Sequence, residues 1–196
     1  MRSILKYLSF GILLTFIISS VALAAGGDEK ESDKSDSDKS KQATEAYNSG
    51  VKHMSKGNET AAKGDSAFAY NYRATSNAKA NKEYEKAVEK FEKAVSLDPK
   101  MKEAHNNLGY CYRKLGKLEQ SLTSYQAALE IDPNYAQARE YLGETYLAMG
   151  EMDKAIEQYN KLKEMESPYA DTLNMAIELY KLKEIDKQMQ GNASGM

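Results

Sequence analysis

Few side chains in this chain could do covalent or acid–base chemistry. Cys111 is the one cysteine, and His53 and His105 are the two histidines in 196 residues. A thiolate nucleophile needs a cation or imidazolium nearby to lower its pKa. Cys111 instead stands between Tyr110 and Tyr112, with no histidine beside it in sequence. It reads as an inert packed thiol, and a Cys–His catalytic pair has little material. One cysteine also excludes an internal disulfide, and with two histidines it excludes a thiol-rich or histidine-rich metal site. The aspartates of the stretch 26–41 alternate in sign with lysines and lack the glycine and closing glutamate of a calcium loop. No glycine-rich phosphate loop or nucleophile elbow is present. These counts predict a protein that is not an enzyme and holds no metal or cofactor.

The net charge of −2 supplies no global basic field for nucleic acid, and the 14 tyrosines lack the basic stripes that base stacking requires. A mean hydropathy of −0.68 excludes a polytopic membrane protein. Three prolines in an alanine-, lysine- and glutamate-rich chain predict long helices.

The amino terminus reads as an address. Arg2 and Lys6 precede the apolar stretch from Leu8 to Ile18, and small residues follow to Ala22-Leu23-Ala24-Ala25. That order predicts a signal peptide over 1–24, cleaved before Ala25. An uncleaved membrane anchor is the alternative, since Leu8 to Ala25 carries no charge. Either reading sends the remainder out of the cytoplasm, to a periplasm in the simplest case. Residues 25–42 are almost wholly polar and charged, and so predict a disordered linker.

The rest of the chain repeats with a period of 34. Ala104, Leu108, Gly109, Tyr112, Gly116 and Tyr125 pair with Ala138, Leu142, Gly143, Tyr146, Gly150 and Tyr159. Ala87, Phe91, Ala94, Asp98 and Pro99 lie the same distance before Ser121, Tyr125, Ala128, Asp132 and Pro133. Such a period means stacked supersecondary units. In each unit, Leu108, Gly109 and Tyr112 mark one face of a first helix. Gly116 ends it, Ser121, Tyr125 and Ala128 mark a second helix, and the residue before Pro133 leaves helical geometry.

These residues resemble the tetratricopeptide repeat family, with Leu108-Gly109-x-x-Tyr112 and Leu142-Gly143-x-x-Tyr146 in first helices and Pro99, Pro133 and Pro168 closing units. The resemblance implies an all-α, right-handed superhelical solenoid of antiparallel helix pairs with a C-terminal capping helix. Repeat 1 falls at 43–101, repeat 2 at 102–135 and repeat 3 at 136–168. The capping helix falls at 169–190, polar on its outer side, and a flexible tail at 191–196. His105 and Arg139 stand in the place of the family's tryptophan, and His53 in that of its tyrosine; the two histidines read as packing residues. Repeat 1 carries an alanine-rich insertion at about 58–81. Gly50 is its close-contact glycine and Gly57 its turn. The insertion either lengthens both helices of the hairpin or forms an extra helix, and a short fourth repeat is a further alternative. Pairs such as Glu83–Lys86 and Glu89–Lys93 read as solvated.

The resemblance also implies a peptide-binding concave groove lined by Tyr47, Val51 and Met54, then Asn106, Tyr110 and Arg113, then Gln137, Glu140 and Glu144, and finally Met175 and Leu179. Asn107 matches one place of the carboxylate clamp found in chaperone-docking members. Tyr47, Val51, Gln137 and Tyr141 at the other places carry no cation, so a clamp is not expected. The implied function is a non-enzymatic protein–protein adaptor or scaffold of the cell envelope, binding a protein partner and no nucleic acid. The alternative is a self-associating structural component of an envelope or secretion assembly.

Overall fold

A computed structural model describes residues 29–65 and 70–193. The chain divides into two units, Met1–Asp36 and Ser37–Met196. Residues 29–36, the described part of the first unit, are helical. The proposed signal segment lies outside the described residues, and no helix among those described is long and apolar enough to cross a membrane.

Seven helices and no strands make up the described residues. They are α1 (Glu29–Asp65), α2 (Tyr70–Leu97), α3 (Lys102–Lys114), α4 (Leu118–Ile131), α5 (Ala136–Ala148), α6 (Met152–Glu164) and α7 (Tyr169–Ala193). The second unit is a solenoid of antiparallel pairs, α1 with α2, α3 with α4 and α5 with α6, and α7 packs on both α5 and α6. Each proline stands between helices, where its missing N–H costs nothing.

The turns inside the pairs use the glycines. Gly116 and Gly150 adopt φ of 73° and 80°, a region that a Cβ disfavours. The Lys117 N–H then donates to the Tyr112 carbonyl at 2.9 Å and the Glu151 N–H to that of Tyr146 at 2.8 Å. This closes the carbonyls that a helix end leaves open. The turns between pairs use aspartate. Asp98 and Asp132 accept the N–H of the residue two further on, Lys100 and Asn134, at 3.0 Å each. After α6 the connection, 165–168, has the same four residues as 132–135 after α4 but a different shape. Glu166 takes a φ of 50° there, and the Ser167 N–H donates to the Leu162 carbonyl at 3.0 Å. α6 ends 33 residues after α4, and its proline stands four residues past the helix end instead of two, so Pro168 arrives 35 residues after Pro133.

Aromatic rings fill the space between helices where glycine makes room. A Cβ on Gly50 would lie 2.7 Å from the Phe91 ring, and one on Gly109 2.8 Å from the Tyr125 ring. Phe91 and Tyr125 are wholly buried and stand 34 apart in sequence. Burying such a side chain stabilises by about 2–3 kcal/mol, so this repeated contact is a main source of cohesion. Ser121, standing in place of an alanine, donates to the Gly109 carbonyl at 2.9 Å.

The insertion lengthens both members of the first hairpin: 58–65 continue α1 and 70–81 continue α2. Gly57 is therefore not a turn. It lies inside α1, and its missing side chain lets the Tyr84 ring approach to 2.7 Å from where a Cβ would be. The polar stretch read as a disordered linker is also helical over 29–42. Its side chains at 35–42 are exposed, and Ala43 is the first buried residue among those whose side chains are described. Extending an existing helix needs no new nucleus, so exposed turns can follow from the packed ones. At the other end, the helix runs past the expected boundary at 190 to Ala193.

Glu83 is another departure. It is buried, and its carboxylate takes His53 Nδ1 at 2.8 Å, Lys86 Nζ at 3.0 Å and Lys56 Nζ at 3.3 Å. His53 foremost, then Lys86, hold its pKa down to about 2. His53 thus ties α1 to α2 through its hydrogen bond to Glu83, and Glu83–Lys86 is part of a partly buried cluster. Glu89 pairs with Lys90 at 3.0 Å. His105 and Arg139 do not replace tryptophan as packing. They donate to the carbonyls of Pro99 and Pro133, at 3.0 and 2.6 Å, and so latch each first helix to the turn before it.

Candidate protein-binding groove

The first helices of successive pairs, α1, α3 and α5, and then α7, present equivalent positions along the expected groove. Tyr47, Asn106, Glu140 and Met175 form one such row, and Val51, Tyr110, Glu144 and Leu179 a second.

At the α1 end the row is partly closed. Tyr47, Val51 and Met54 are half-buried against the cluster that holds Tyr84, Val88, Phe91 and Leu108. The Tyr47 hydroxyl accepts a bond from Asn107 Nδ2 at 3.2 Å, and its ring lies tilted on Phe91 at 5.8 Å. These residues tie repeats together. Asn58, from the insertion, extends this wall: its Oδ1 accepts both the Tyr84 hydroxyl at 2.7 Å and the Tyr110 hydroxyl at 2.9 Å.

The middle is an aromatic and ionic bridge. Arg113 on α3 pairs with Glu144 on α5 at 2.8 Å. Its guanidinium also lies 5.6 Å from the Tyr110 ring centre and 5.5 Å from that of Tyr141. Tyr110 and Tyr141 contact each other at 5.7 Å, and Tyr141 meets Tyr125 at 5.9 Å. Planar guanidinium stacking suits arginine and not lysine. Gln137 shares long bonds of 3.4 Å with the Tyr135 and Tyr141 hydroxyls.

Asn106 and Glu140 depart from their expected place on an open surface. Only 1% and 3% of them is exposed. First helices α3 and α5 touch directly, and each of these side chains is trapped in the packing that results. Asn106 Oδ1 has no hydrogen-bond partner. Burial raises the Glu140 pKa to about 7, with Glu144 adding to the rise and Arg113 opposing it. Cys111 is likewise buried, and burial pushes its thiol up to about 12. No group of three or more histidine, cysteine, aspartate or glutamate side chains capable of holding a metal is found among the described residues.

The far end is open. A hollow of about 280 Å³ is lined by Arg113, Glu144, Leu147, Ala148, Ala176, Leu179, Tyr180 and Lys183. Met175 and Leu179 are 70% and 53% exposed. Thus the structure gathers Arg113, Glu144 and Leu179 at one hollow, and Tyr110 beside it through Arg113. Leu147 and Ala148 were not foreseen, though adding 34 to Arg113 and Lys114 finds both. Lys183 stands 35 after Ala148, the offset that also relates Met175 to Glu140 and Leu179 to Glu144.

Comparison with known proteins agrees with the repeat fold. The sequence pattern described as TPR repeat matches residues 79–114 and 109–150, and that described as tetratricopeptide repeat matches 136–169. The chain therefore carries tetratricopeptide repeats across 79–169. No curated protein sequence matches it. Among solved structures, it is similar to the TPR2B domain of yeast Sti1 in complex with pHsp70. The TM-score there is 0.55 and the identity 15%, over 72% of this chain and 98% of that one. It is also similar to the Sgt2 TPR domain from Aspergillus fumigatus, with a TM-score of 0.47 and 24% identity over 68% and 82%. A third is the type III secretion translocator chaperone SycD of Yersinia enterocolitica, with a TM-score of 0.44 and 22% identity over 52% and 81%. At these identities the likeness is one of fold.

Proposed function

We propose that this chain is a non-enzymatic adaptor of the cell envelope that holds a segment of a protein partner at the α5–α7 end of its groove. The observation that carries the reading is the open hollow beside exposed Met175 and Leu179, walled by the Arg113–Glu144 pair. Exposed apolar anchors next to a few fixed polar groups are the composition of a protein-binding surface. The yeast domain was solved with pHsp70, so a bound protein partner is a known use of this fold. The envelope address rests on the Arg2, Lys6, apolar stretch and Ala22-x-Ala24 order, for which an uncleaved anchor gives the same side of the membrane.

The partner is held by shape and apolar burial, with no bond made or broken. Because Arg113 is already stacked and paired, little ordering is left to be paid on binding there. The test is affinity capture from envelope extracts with the native chain and with Met175→Ala plus Leu179→Ala. Both side chains are too exposed to matter for folding. Loss of a specifically captured protein supports the reading, and equal capture by both forms refutes it.

A further inference from the structure

The last helix was expected to close the solenoid with a polar outer face, and it does not. Its inner face is conventional: Leu173 and Ile177 are buried against α5 and α6, and Tyr180 is half-buried. The outer face carries Met175, Leu179, Leu182, Ile185 and Met189, exposed by 70%, 53%, 60%, 51% and 58%. Their successive spacings of 4, 3, 3 and 4 place them on one continuous stripe of the helix. Within the solenoid, α3 and α5 are each covered by a following helix pair or by α7. The stripe on α7 is the surface that a further repeat would cover.

We propose that a second copy of this chain covers it, through a two-fold contact of α7 with α7 centred on Leu182. Three observations favour a copy over an unrelated partner. First is area. The five side chains expose roughly 550 Å² on each copy, so a two-fold pair would bury on the order of 1,100 Å² before any rim contact, near the lower bound for specific interfaces. Second is charge. From Glu178 to Lys187 the helix carries Glu178, Glu184 and Asp186 against Lys181, Lys183 and Lys187, which sum to zero. Glu178 pairs with Lys181 at 2.8 Å, and Glu184 with Lys187 at 4.0 Å. A neutral, internally paired rim does not repel its own copy and offers no net field to draw a charged partner. Third is symmetry. The stripe runs from 175 to 189 with Leu182 at its middle, so a two-fold axis there sets Met175 against the partner's Met189 and brings Leu182 onto its own copy, the self-complementary pattern of an isologous contact.

The inference shares Met175 and Leu179 with the groove reading, so it is tested at Leu182 and Met189, which do not line the hollow. The full chain is followed by sedimentation equilibrium and light scattering over a roughly hundredfold concentration range. The native chain is expected to dimerise. Leu182→Glu enters a two-fold contact twice and is expected to raise the dissociation constant about 100-fold with helicity unchanged. Met189→Lys is expected to do the same and decides the matter if Leu182→Glu fails to fold. Any association through the amino-terminal apolar segment is common to every variant and cancels in the comparison. Leu182→Cys is expected to form a disulfide-linked dimer on mild oxidation, whereas Thr123→Cys, exposed on α4, is not. A native chain that stays monomeric overturns the proposal. So does a dimer that Leu182→Glu and Met189→Lys leave intact, or a Leu182→Cys chain that does not cross-link.

Discussion

Glu140 is expected to make this protein less stable as pH rises from 5 to 8, and replacing it with glutamine is expected to abolish that loss. Glu140 is 3% exposed as a residue, and its pKa rises to about 7 from 4.5 in the unfolded chain. The sign follows from the direction. Below pH 4.5 both states hold the proton and the group costs nothing. As pH climbs through 4.5 the unfolded chain gives up its proton while the folded chain keeps it. Stability therefore falls across the window from 4.5 to 7 and levels off above it. A difference of 2.5 in pKa corresponds to about 3 kcal/mol at full effect. Nearby solvent trims this, so a loss of about 1–2 kcal/mol between pH 5 and 8 is expected. Arg113 from α3 is the cation that softens the penalty, and Glu144 on the same helix is the anion that deepens it. The chain itself shows the replacement to be tolerable: Asn106, a neutral amide, fills the equivalent place 34 residues earlier. The assay is urea unfolding of the native chain and Glu140→Gln at pH 5 and pH 8. If the two proteins lose the same stability between those values, Glu140 is not the buried acid described above.

Two further outcomes follow from packing. Gly109→Ala drives a Cβ to 2.8 Å from the Tyr125 ring and is expected to cost about 1–3 kcal/mol, whereas Gly116→Ala meets no atom within 4 Å and is expected to cost about 1 kcal/mol from its positive φ alone. Urea unfolding of both variants checks the order, and a larger loss at Gly116 would contradict the close-approach role of Gly109. Cys111, with its thiol at about 12, is expected to resist alkylation at pH 8 in the folded chain and to react fully in denaturant. Rapid labelling of the native protein, followed by mass spectrometry, would show the thiol to be accessible after all.

The repeat was legible because its signals are local. Gly116, Gly150 and the Asp-Pro pairs fix turns through backbone geometry alone, and Phe91 and Tyr125 recur with the glycines they pack on. Gly57 was not legible in the same way. A glycine serves both as a turn and as a close contact, and only the continuation of α1 through the insertion decides between them. Alanine content predicted a helical insertion, but helix propensity is blind to whether added residues lengthen a hairpin or begin a new element. Family position makes His53 and His105 packing residues and puts Arg139 in the tryptophan's place. Their actual partners are Glu83, Pro99 and Pro133, contacts that depend on where neighbouring turns and helices come to rest. Asn106 and Glu140 were assigned to an open surface because periodicity gives a side chain's face and says nothing of how closely the next helix approaches.

Those two residues also show why the groove has a direction. One repeat position holds Tyr47, Asn106, Glu140 and Met175, and the next turn holds Val51, Tyr110, Glu144 and Leu179. Along both rows the apolar side chains on α1 are half-buried in the hydrophobic cluster, those on α3 and α5 are tied by bonds or packing, and those on α7 are bare. The cause is the order of the stack. The long α1–α2 hairpin shields the first rows through Asn58 and Tyr84, while nothing among the described residues follows α7. A side chain already packed in the free protein gains little new burial from a partner, whereas an exposed one gains all of it. Substitutions at Tyr47 or Val51 therefore act on stability, and the contacts that can contribute most to association lie on α7. On the proposed function, the anchors open to a partner are therefore concentrated at the α7 end.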